Sequence, residues 1–360
     1  MSSQTLLLLP GDGIGPEIQE AMEPIFAWLT SRRADIAVRR RLVGHQAFTA
    51  EGATISDETL VHVGCSEAVL FGAESTEEYL SLPHEARPAP ALLRLRAAVG
   101  GFANVRPVRV YPPLVHLSPL KAEIVSEVDF VIVRELLGGL YFGEPRSIKP
   151  AGDGGRRRAL DSLVYTSDEI ERVAVAAFDL AATRAGRLCS VDKANVLATG
   201  ALWREVVTDV GRRYPQVRLS HMYVDNCAMQ LVRAPGQFDV IVTENMFGDI
   251  LSDCAAVIGG SIGMLASASL GRTGADGRAP GLYEAISGSA PDIAGQDVAN
   301  PIGTVLSLAM ALEHSLGAPD EAAAVENAVA AAIEAGARTR DLGGDLGTRA
   351  MVSLIAEHLE

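Results

Sequence analysis

The chain has 360 residues, of which 48% are hydrophobic, and this length and apolar content predict a globular protein of about two domains. Its 31 Lys and Arg are outnumbered by 45 Asp and Glu, which gives a net charge of −14. Such a surface repels nucleic-acid phosphates and anionic lipid, so neither is expected as a partner.

Short apolar segments alternate along the chain with longer amphipathic ones, a pattern typical of α/β proteins. Strands are predicted at residues 5–9, 68–72, 129–133, 188–191 and 238–243, and helices at 16–30, 167–185 and 320–335. The second of these helices has Ser167 as its expected N-cap, followed by acidic residues in the first turn. The glycine-rich stretch 138–158 is predicted to form an extended arm or a hairpin.

A glycine-rich turn follows the first strand. Gly11, Gly13 and Gly15 suggest a dinucleotide-binding G-x-G-x-x-G motif, but the spacing would need glycine where Pro16 stands. The segment therefore predicts only a tight turn into a helix N-terminus, a candidate anion or ribose site. A standard Rossmann fold is not expected.

Asp249 and Asp253 are four residues apart, which places both carboxylates on one helix face. A cation between them would relieve their repulsion, and carboxylates suit Mg²⁺ or Mn²⁺. The alternative is two solvated acids on the protein surface, which is the more common environment for two aspartates at this spacing. The apolar flanks, Ile250, Leu251 and residues 255–258, predict a buried helix start and favour the cation.

Basic side chains near predicted strand ends form a second candidate group. The planar guanidinium binds carboxylates bidentately, so these arginines indicate a small polycarboxylate ligand, although ordinary salt bridges are an open alternative for each of them. Lys193 follows a buried strand and is a candidate general base, with a solvent-facing lysine as the alternative. The arginines are Arg94, Arg96, Arg106 and Arg134.

The remaining features predict a cytoplasmic protein without a membrane segment. The apolar run at 6–9 is too short for a secretory signal, and the stretch 255–270 is interrupted by glycines. The basic runs at 39–41 and 156–158 are interpreted as solvated edges or loops. The cysteines are far apart and are predicted to be buried, reduced thiols: Cys65, Cys189, Cys227 and Cys254.

Five segments together resemble the isocitrate/isopropylmalate family of β-decarboxylating dehydrogenases, in the family's order and across essentially the whole chain. The segments are LPGDGIGPE at 9–17, VRELLGGLYFGEPR at 133–146, VDKANV at 191–196, MFGDILSD at 246–253 and GSAPDIAG at 288–295. The run around Tyr141 is similar to the 3-isopropylmalate branch. Isocitrate and tartrate/malate members usually differ there.

The resemblance implies a two-domain α/β fold of the isopropylmalate dehydrogenase type, distinct from the Rossmann fold. Residues 1–101 and 260–360 would form a discontinuous NAD-binding domain. Residues 102–259 would form the central substrate and dimerisation domain, with a dimerisation arm at about 138–165. The implied reaction is the NAD- and metal-dependent oxidative decarboxylation of 3-isopropylmalate or a related 3-alkylmalate, as in leucine biosynthesis, in a homodimer with shared active sites.

The same resemblance implies the residue roles. The substrate's carboxylates would be clamped by Arg96, Arg106 and Arg134, and its alkyl group would contact Leu92 and Leu93. Mg²⁺ or Mn²⁺ would be held by Asp249, Asp253 and Asp225 of the partner subunit. The partner's Lys193 would take the proton of the C2 hydroxyl, and Tyr141 would protonate the enol carbon.

The implied cofactor residues lie towards both ends of the chain. They are Ile14, Glu284, Gly288, Ser289, Ala290, Asp292, Ile293 and Asn300. NADP-using relatives typically have Lys-Tyr where Asp292-Ile293 stands here. A carboxylate accepts hydrogen bonds from ribose hydroxyls and repels a 2′-phosphate, so NAD is predicted.

Three departures from the family pattern leave the exact substrate open. Ser287 replaces a usual His, Ala89 replaces a usual Glu, and residues 72–79 replace a usual Gly-Gly-Pro-aromatic stretch. The alternatives are the same chemistry on tartrate or malate, isocitrate or another 3-substituted malate in a specialised pathway, and a non-catalytic binding subunit. The intact Lys193 and Tyr141 argue against the last of these.

Overall fold

The computed structural model describes residues 4–75, 79, 88–152 and 155–359, so residues 76–78 of the departing stretch 72–79 lie outside the described residues. The strands are β1 (Gln4–Gly11), β2 (Ile36–Arg40), β3 (Ala68–Ala73), β4 (Ala103–Arg109), β5 (Asp129–Glu135), β6 (Ser147–Pro150), β7 (Arg157–Leu160), β8 (Arg187–Asp192), β9 (Arg218–Tyr223), β10 (Val240–Thr243), β11 (Ala266–Leu270) and β12 (Gly281–Ala285). The helices are α1 (Gly15–Ala21), α2 (Glu23–Arg32), α3 (His45–Glu51), α4 (Asp57–Gly64), α5 (Ala91–Ala98), α6 (Ala122–Val125), α7 (Ser167–Thr183), α8 (Ala198–Gly211), α9 (Val224–Arg233), α10 (Asn245–Ile258), α11 (Ile302–His314), α12 (Pro319–Glu334) and α13 (Thr348–Glu357). This alternation confirms the predicted α/β class.

The chain divides into two compact units. Unit 1 comprises Met1–Gly101, Val110–Pro119 and Gly259–Glu360, and unit 2 comprises Phe102–Arg109 and Leu120–Ile258. The sequence prediction placed residues 110–119 in the central domain, whereas in the structure this segment clusters with unit 1.

Unit 1 contains strands in the order β2-β1-β3-β12-β11. β1 is parallel to β2 and β3, β12 is parallel to β3, and β11 is antiparallel to β12. Residues 6–9 of β1 are all leucine and at most 1% exposed, since helices that include α1 and α11 pack on these strands. A continuous apolar run is what a strand covered on both faces requires.

Unit 2 contains strands in the order β4-β5-β10-β8-β9, of which β5, β10, β8 and β9 run parallel. The carboxyl ends of parallel strands meet at one edge of a sheet, where α/β proteins place their chemistry. That edge carries Arg134 at the end of β5, Glu244 after β10 and Lys193 after β8.

A two-stranded antiparallel hairpin extends from unit 2. It pairs β6 with β7, opposes Ile148 to Ala159, and is largely exposed. The hairpin corresponds to the arm predicted at 138–158, and the exposed β7 contains part of the basic run 156–158.

The predicted helix 16–30 is wrong as a single helix, because the chain forms α1 and α2 with a break at Met22. Pro24 causes the break, since its ring has no N–H to continue the first helix but suits the first turn of the second. The prediction that Ser167 caps α7 is also wrong by one residue. Thr166 is the N-cap and forms a reciprocal capping box with Glu169.

The cysteine prediction is half right. All four cysteines are free, but only Cys189 and Cys227 are buried, whereas Cys65 and Cys254 are exposed. Across the described ranges, no helix combines the length and the apolar character needed to cross a membrane.

Candidate active site

Helix α10 begins at the carboxyl end of β10 and presents the two predicted metal aspartates. Glu244 caps the helix by accepting the backbone N–H groups of Met246 and Phe247 at 3.1 and 2.9 Å. Gly248 lets a neighbouring arginine approach, because a Cβ there would lie 2.6 Å from Cγ of Arg134. The glycine in this motif therefore provides room for Arg134 beside Asp249.

Arg134 is 4% exposed and is held on two sides by α10. Its Nε donates to Oδ1 of Asn245 at 2.9 Å, and one terminal nitrogen donates to Oδ1 of Asp249. The prediction placed Arg134 just past its strand, but β5 continues to Glu135 and so fixes the arginine's backbone.

Arg106 on β4 is 7% exposed and contacts the next turn of the same helix. Its Nε donates to Oδ1 of Asn104 at 2.7 Å, and its Nη1 donates to Oγ of Ser252 at 2.8 Å and to Oδ1 of Asp253 at 3.3 Å. Two buried guanidinium groups and two carboxylates are thus gathered along one helix face.

The aspartates themselves are less buried than predicted. The side chain of Asp249 is 35% exposed and that of Asp253 is 69% exposed. Asp253 lies on the outward face of α10 with Ile250 and Val257, both of which are exposed in this single chain.

Tyr141 completes this cluster. Its hydroxyl donates to Oδ2 of Asp249 at 2.9 Å, and the guanidinium carbon of Arg134 lies 5.6 Å from the centre of its ring. Partial burial and the hydrogen bond to the Asp249 carboxylate raise the pKa of Tyr141, so its hydroxyl is protonated at neutral pH.

Lys193 and Asp225 form a separate pair in unit 2. Nζ of Lys193 donates to Oδ1 of Asp225 at 2.6 Å, and this hydrogen bond lowers the pKa of Asp225. Within the described part of the chain, no group of three His, Cys, Asp or Glu side chains is placed to hold a metal ion. One chain therefore does not bring Asp225 together with Asp249 and Asp253.

The backbone that presents Lys193 is fixed by an ion pair between the buried Asp192 and the partly exposed Arg204. Both carboxylate oxygens of Asp192 accept from Arg204 at 2.9 Å, and Oδ1 also accepts the backbone N–H of Ala194 at 2.9 Å. Because these contacts hold the residues on either side of Lys193, the backbone position of Lys193 is fixed.

The remaining predicted arginines lie in unit 1. Arg96 pairs with Glu284 at 2.9 Å, and its Nε is buried without a hydrogen-bond partner among the described residues. Arg94 instead pairs with the exposed Asp57 and donates to the carbonyl of Ile55 at 2.8 Å, so it has an ordinary structural contact. Of the two predicted alkyl-contacting residues on α5, Leu92 packs against a buried cluster and Leu93 is 52% exposed.

The predicted cofactor residues also lie in unit 1, and several meet at the glycine-rich turn. The N–H of Ile14 donates to the carbonyl of Ser289 at 2.9 Å, and a Cβ on Gly13 would lie 1.9 Å from that oxygen. Gly288 and Ala290 both have positive φ, 70° and 36°, the second being rare for alanine. The turn thus packs directly on the 288–290 segment.

Three further predicted cofactor residues follow this segment. Asp292 is exposed, and Ile293 is half-buried with its N–H bonded to the carbonyl of Ala290 at 3.1 Å. Asn300 is buried, accepts the N–H of Ile302 at 3.0 Å and donates to Asp341 at 2.9 Å. The side chain of Asn300 therefore has a structural role at the start of α11.

Sequence reasoning missed the polar side chains that hold the arginines. Asn104, Asn245 and Ser252 each accept a hydrogen bond from Arg106 or Arg134. The spacing gave a hint for two of them, because Asn104 shares a strand face with Arg106, and Ser252 lies one helical turn after Asp249.

Known proteins resemble the chain over nearly all of its length. The family model described as isocitrate/isopropylmalate dehydrogenase matches residues 5–355. A 3-isopropylmalate dehydrogenase of Rhodospirillum rubrum is 52% identical over 342 residues, which are 94% of this chain and 92% of the relative. One from Ruegeria pomeroyi is 51% identical over 348 residues, 96% of this chain and 94% of the relative.

Solved structures agree with these relatives. An isocitrate dehydrogenase from Methylococcus capsulatus has a TM-score of 0.83 at 33% identity and covers 99% of both chains. A β-decarboxylating dehydrogenase from Thermococcus kodakarensis has a TM-score of 0.80 at 33% identity, covering 99% of this chain and 96% of that one. The fold is therefore the two-domain type predicted from the motifs, and the chain belongs to the isocitrate/isopropylmalate dehydrogenase family.

Proposed function

We propose that the protein catalyses the NAD- and divalent-metal-dependent oxidative decarboxylation of 3-isopropylmalate. The cluster of Arg106, Arg134, Asp249, Asp253 and Tyr141 carries the proposal, since it combines carboxylate-binding groups, metal-binding groups and a proton donor. Relatives named 3-isopropylmalate dehydrogenase at about half identity support the choice of substrate.

The donor set of this cluster fits Mg²⁺ or Mn²⁺. Asp249 and Asp253 offer hard carboxylate oxygens on successive turns of α10, and the largely exposed Asp253 keeps oxygens available. The two arginines balance the two aspartates in charge, so a dication and a substrate with two carboxylates would enter together without a net charge cost. Asp225 of the partner subunit is the proposed third ligand.

The arginines orient the substrate. Arg106 and Arg134 are anchored at Nε by asparagine side chains, which leaves their terminal nitrogens directed at the aspartates and at the place where substrate carboxylates would bind. Fixing both carboxylates removes much of the rotational freedom of the reactant. The Nε of Arg96 is buried without a hydrogen-bond partner among the described residues, and we assign it to a substrate carboxylate.

The proton transfers are assigned to Lys193 and Tyr141. NAD⁺ supplies a hydride acceptor when bound, and the metal ion supplies a Lewis acid for the C2 oxygen. In its neutral form, the partner's Lys193 would accept the proton of the C2 hydroxyl at Nζ, and the Tyr141 hydroxyl would donate a proton to C3 after carbon dioxide has left. A tyrosine hydroxyl, with an ordinary pKa of about 10, carries this proton at neutral pH.

The 288–290 segment and the glycine-rich turn are the proposed NAD site in unit 1. Exposed backbone at Gly288 and the free carboxylate of Asp292 suit the adenosine ribose, and the negative charge of Asp292 disfavours NADP. The ratio of kcat/KM for the two cofactors measures this preference, and faster turnover with NADP would overturn it.

A homodimer is proposed from an apolar patch on α9 and α10, two helices that pack together in unit 2. Met229 and Val232 on α9 and Ile250 and Val257 on α10 are 54–60% exposed. Exposed apolar side chains on two helices that pack together are typical of an interface. Asp253 lies on the same face, so a second copy covering this patch would bring its own side chains to the metal site.

The test is NADH production from a panel of malates with different C3 substituents, measured with and without EDTA. We expect the 3-isopropyl compound to give the highest kcat/KM and EDTA to abolish turnover. Higher kcat/KM on isocitrate, tartrate or another 3-substituted malate would show that this compound is the preferred substrate. Absence of turnover on every compound would favour a binding subunit.

A further inference from the structure

Glu74 lies in the stretch that departs from the family pattern, and its side chain reaches the start of another element. One carboxylate oxygen accepts the backbone N–H of Ala91 at 2.6 Å, and the other accepts that of Leu92 at 3.1 Å. These are the first two residues of α5, so one carboxylate caps two helix N–H groups from 17 positions away in the sequence.

The helix needs this external cap. The N-cap position of α5 is Pro90, whose side chain has no acceptor, and the structure shows no side-chain cap from it. The first N–H groups of a helix have no partner inside the helix and carry partial positive charge. A carboxylate is the acceptor that best satisfies both conditions.

The backbone around Glu74 is itself fixed from both sides by Asp12. The N–H of Asp12 donates to the carbonyl of Ala73 at 2.9 Å, and its Oδ2 accepts the N–H of Ser75 at 3.0 Å. The chain before α5 is held as well, since Thr54 donates its hydroxyl to the carbonyl of Ala89 at 2.8 Å. Glu74 is thus a rigid support for α5.

The surroundings of Glu74 disfavour its ionised form, whereas the contact with α5 favours it. Burial raises the pKa of Glu74, and the nearby carboxylates of Asp12 and Glu284 raise it further. Only the two backbone N–H groups of Ala91 and Leu92 act in the opposite direction. An acid that is held half-buried among like charges indicates a specific role for its bond to the helix.

We propose that Glu74 is a positioning residue for substrate selection, which sets the orientation of α5 and hence of Leu92, Leu93 and Arg96. The inference rests on the proposed function, because these three residues are the ones expected to meet the alkyl group and a carboxylate. Glu74 touches none of the reacting atoms in this scheme. It acts through the helix that it caps.

The test compares Glu74→Ala, Glu74→Gln and Glu74→Asp with a matched control, Ser56→Ala. Ser56 caps α4, a helix that packs against α5, through the N–H of Thr59 at 3.3 Å, so its loss removes a neighbouring helix cap without touching the N-terminus of α5. We expect E74A to raise KM for 3-isopropylmalate about tenfold, because a displaced α5 would misplace the side chains that contact the substrate, with a smaller change in kcat. E74Q should be intermediate, because its amide keeps one acceptor oxygen.

Substrate selectivity distinguishes a positioning role of Glu74 from a role in protein stability alone. E74A should lower the ratio of kcat/KM for 3-isopropylmalate over unsubstituted malate about fivefold, while S56A should lower Tm and leave this ratio and KM unchanged. Equal Tm losses for both variants with no change in KM or in the ratio would overturn the inference. If E74A does not fold, E74Q and E74D decide by the same two readouts.

The failure of this inference can be distinguished from failure of the proposed function. A wild-type protein that turns over no malate refutes the proposed function. A wild-type protein that prefers 3-isopropylmalate, with Glu74 variants that keep the same preference and KM, refutes only the role of Glu74.

Discussion

At the scale of single residues, Tyr141 is the group whose chemistry the structure defines best. Its hydroxyl bonds to Asp249, its ring lies beside Arg134, and its proton is retained at neutral pH. Tyr141→Phe keeps the ring and removes only the proton donor. We expect kcat to fall about 100-fold with KM changed only a few-fold, the effect of losing one general acid.

The control for this variant is Tyr214→Phe, because the Tyr214 hydroxyl makes a similar bond to Asp179 at 2.8 Å on another part of unit 2. Steady-state NADH assays with both variants check the expectation. Equal kcat for Y141F and Y214F would contradict a role for Tyr141 in proton transfer.

Glu135 is fully buried and links β5 to the segment that carries Tyr141. It accepts hydrogen bonds from the N–H groups of Leu137 and Gly138, from Tyr165 and from Arg172. Burial is the dominant cause that raises the pKa of Glu135 in the folded protein. The folded state therefore binds this proton more tightly than the unfolded chain does.

This linkage gives a pH dependence with a defined sign. The contribution of Glu135 to stability is largest below the unfolded pKa of about 4.3 and is lost as the pH rises through the higher folded pKa. Glu135→Gln removes the titration. Urea unfolding at several pH values should show the difference in stability, wild type minus E135Q, shrinking from pH 4 to pH 7, and a difference that grows with pH would refute the expectation.

At the scale of elements, the sequence patterns located several buried parallel strands, because these are continuous apolar runs, but the largely buried β4, β11 and β12 were not predicted. β1, β3 and β8 lie within two residues of their predicted bounds. The boundaries that failed were decided by single residues: Pro24 divides the predicted first helix, and Thr166 replaces Ser167 as a cap. Serine and threonine compete for such a position, and only the local geometry chooses between them.

The capping box of α7 provides a test at this scale. Thr166 accepts the N–H of Glu169 at 3.3 Å, and the Glu169 carboxylate accepts the N–H of Thr166 at 2.8 Å. Thr166→Ala should lower the free energy of unfolding by about 1 kcal/mol. Ser167→Ala, the residue favoured by the sequence, should change it much less, and urea unfolding of the two variants in parallel decides which residue caps the helix.

At the scale of the whole molecule, the residues proposed for one active site form two separate groups in a single chain. Asp249, Asp253 and Tyr141 were predicted together and lie together with Arg106 and Arg134. Lys193 and Asp225 lie together as well, but as a separate pair. Neither residue pattern nor spacing states which copy of a chain supplies a side chain, so this division came only from the family resemblance and stays a prediction.

Mixed dimers test that division. If each site combines Asp249 of one chain with the partner's Lys193, a heterodimer of Asp249→Asn and Lys193→Ala chains has one site with both lesions and one site with none. Co-expression with two different tags isolates this heterodimer, and we expect about half of the wild-type activity, since one of two symmetric sites is intact. Each homodimer should be inactive.

The matched control is a heterodimer of Asp249→Asn and Tyr141→Phe chains. These two side chains belong to one cluster within a single chain, where the Tyr141 hydroxyl lies 2.9 Å from Oδ2 of Asp249. Every site of that heterodimer keeps one lesion, so its activity should not exceed that of the Y141F homodimer. A single-chain site predicts no recovery in either mixture, because every chain then carries its own lesion. Activity that recovers only in the heterodimer of Asp249→Asn and Lys193→Ala chains would therefore show that the partner subunit supplies the Lys193–Asp225 pair. If that heterodimer is inactive, the pair acts in the same chain as Asp249.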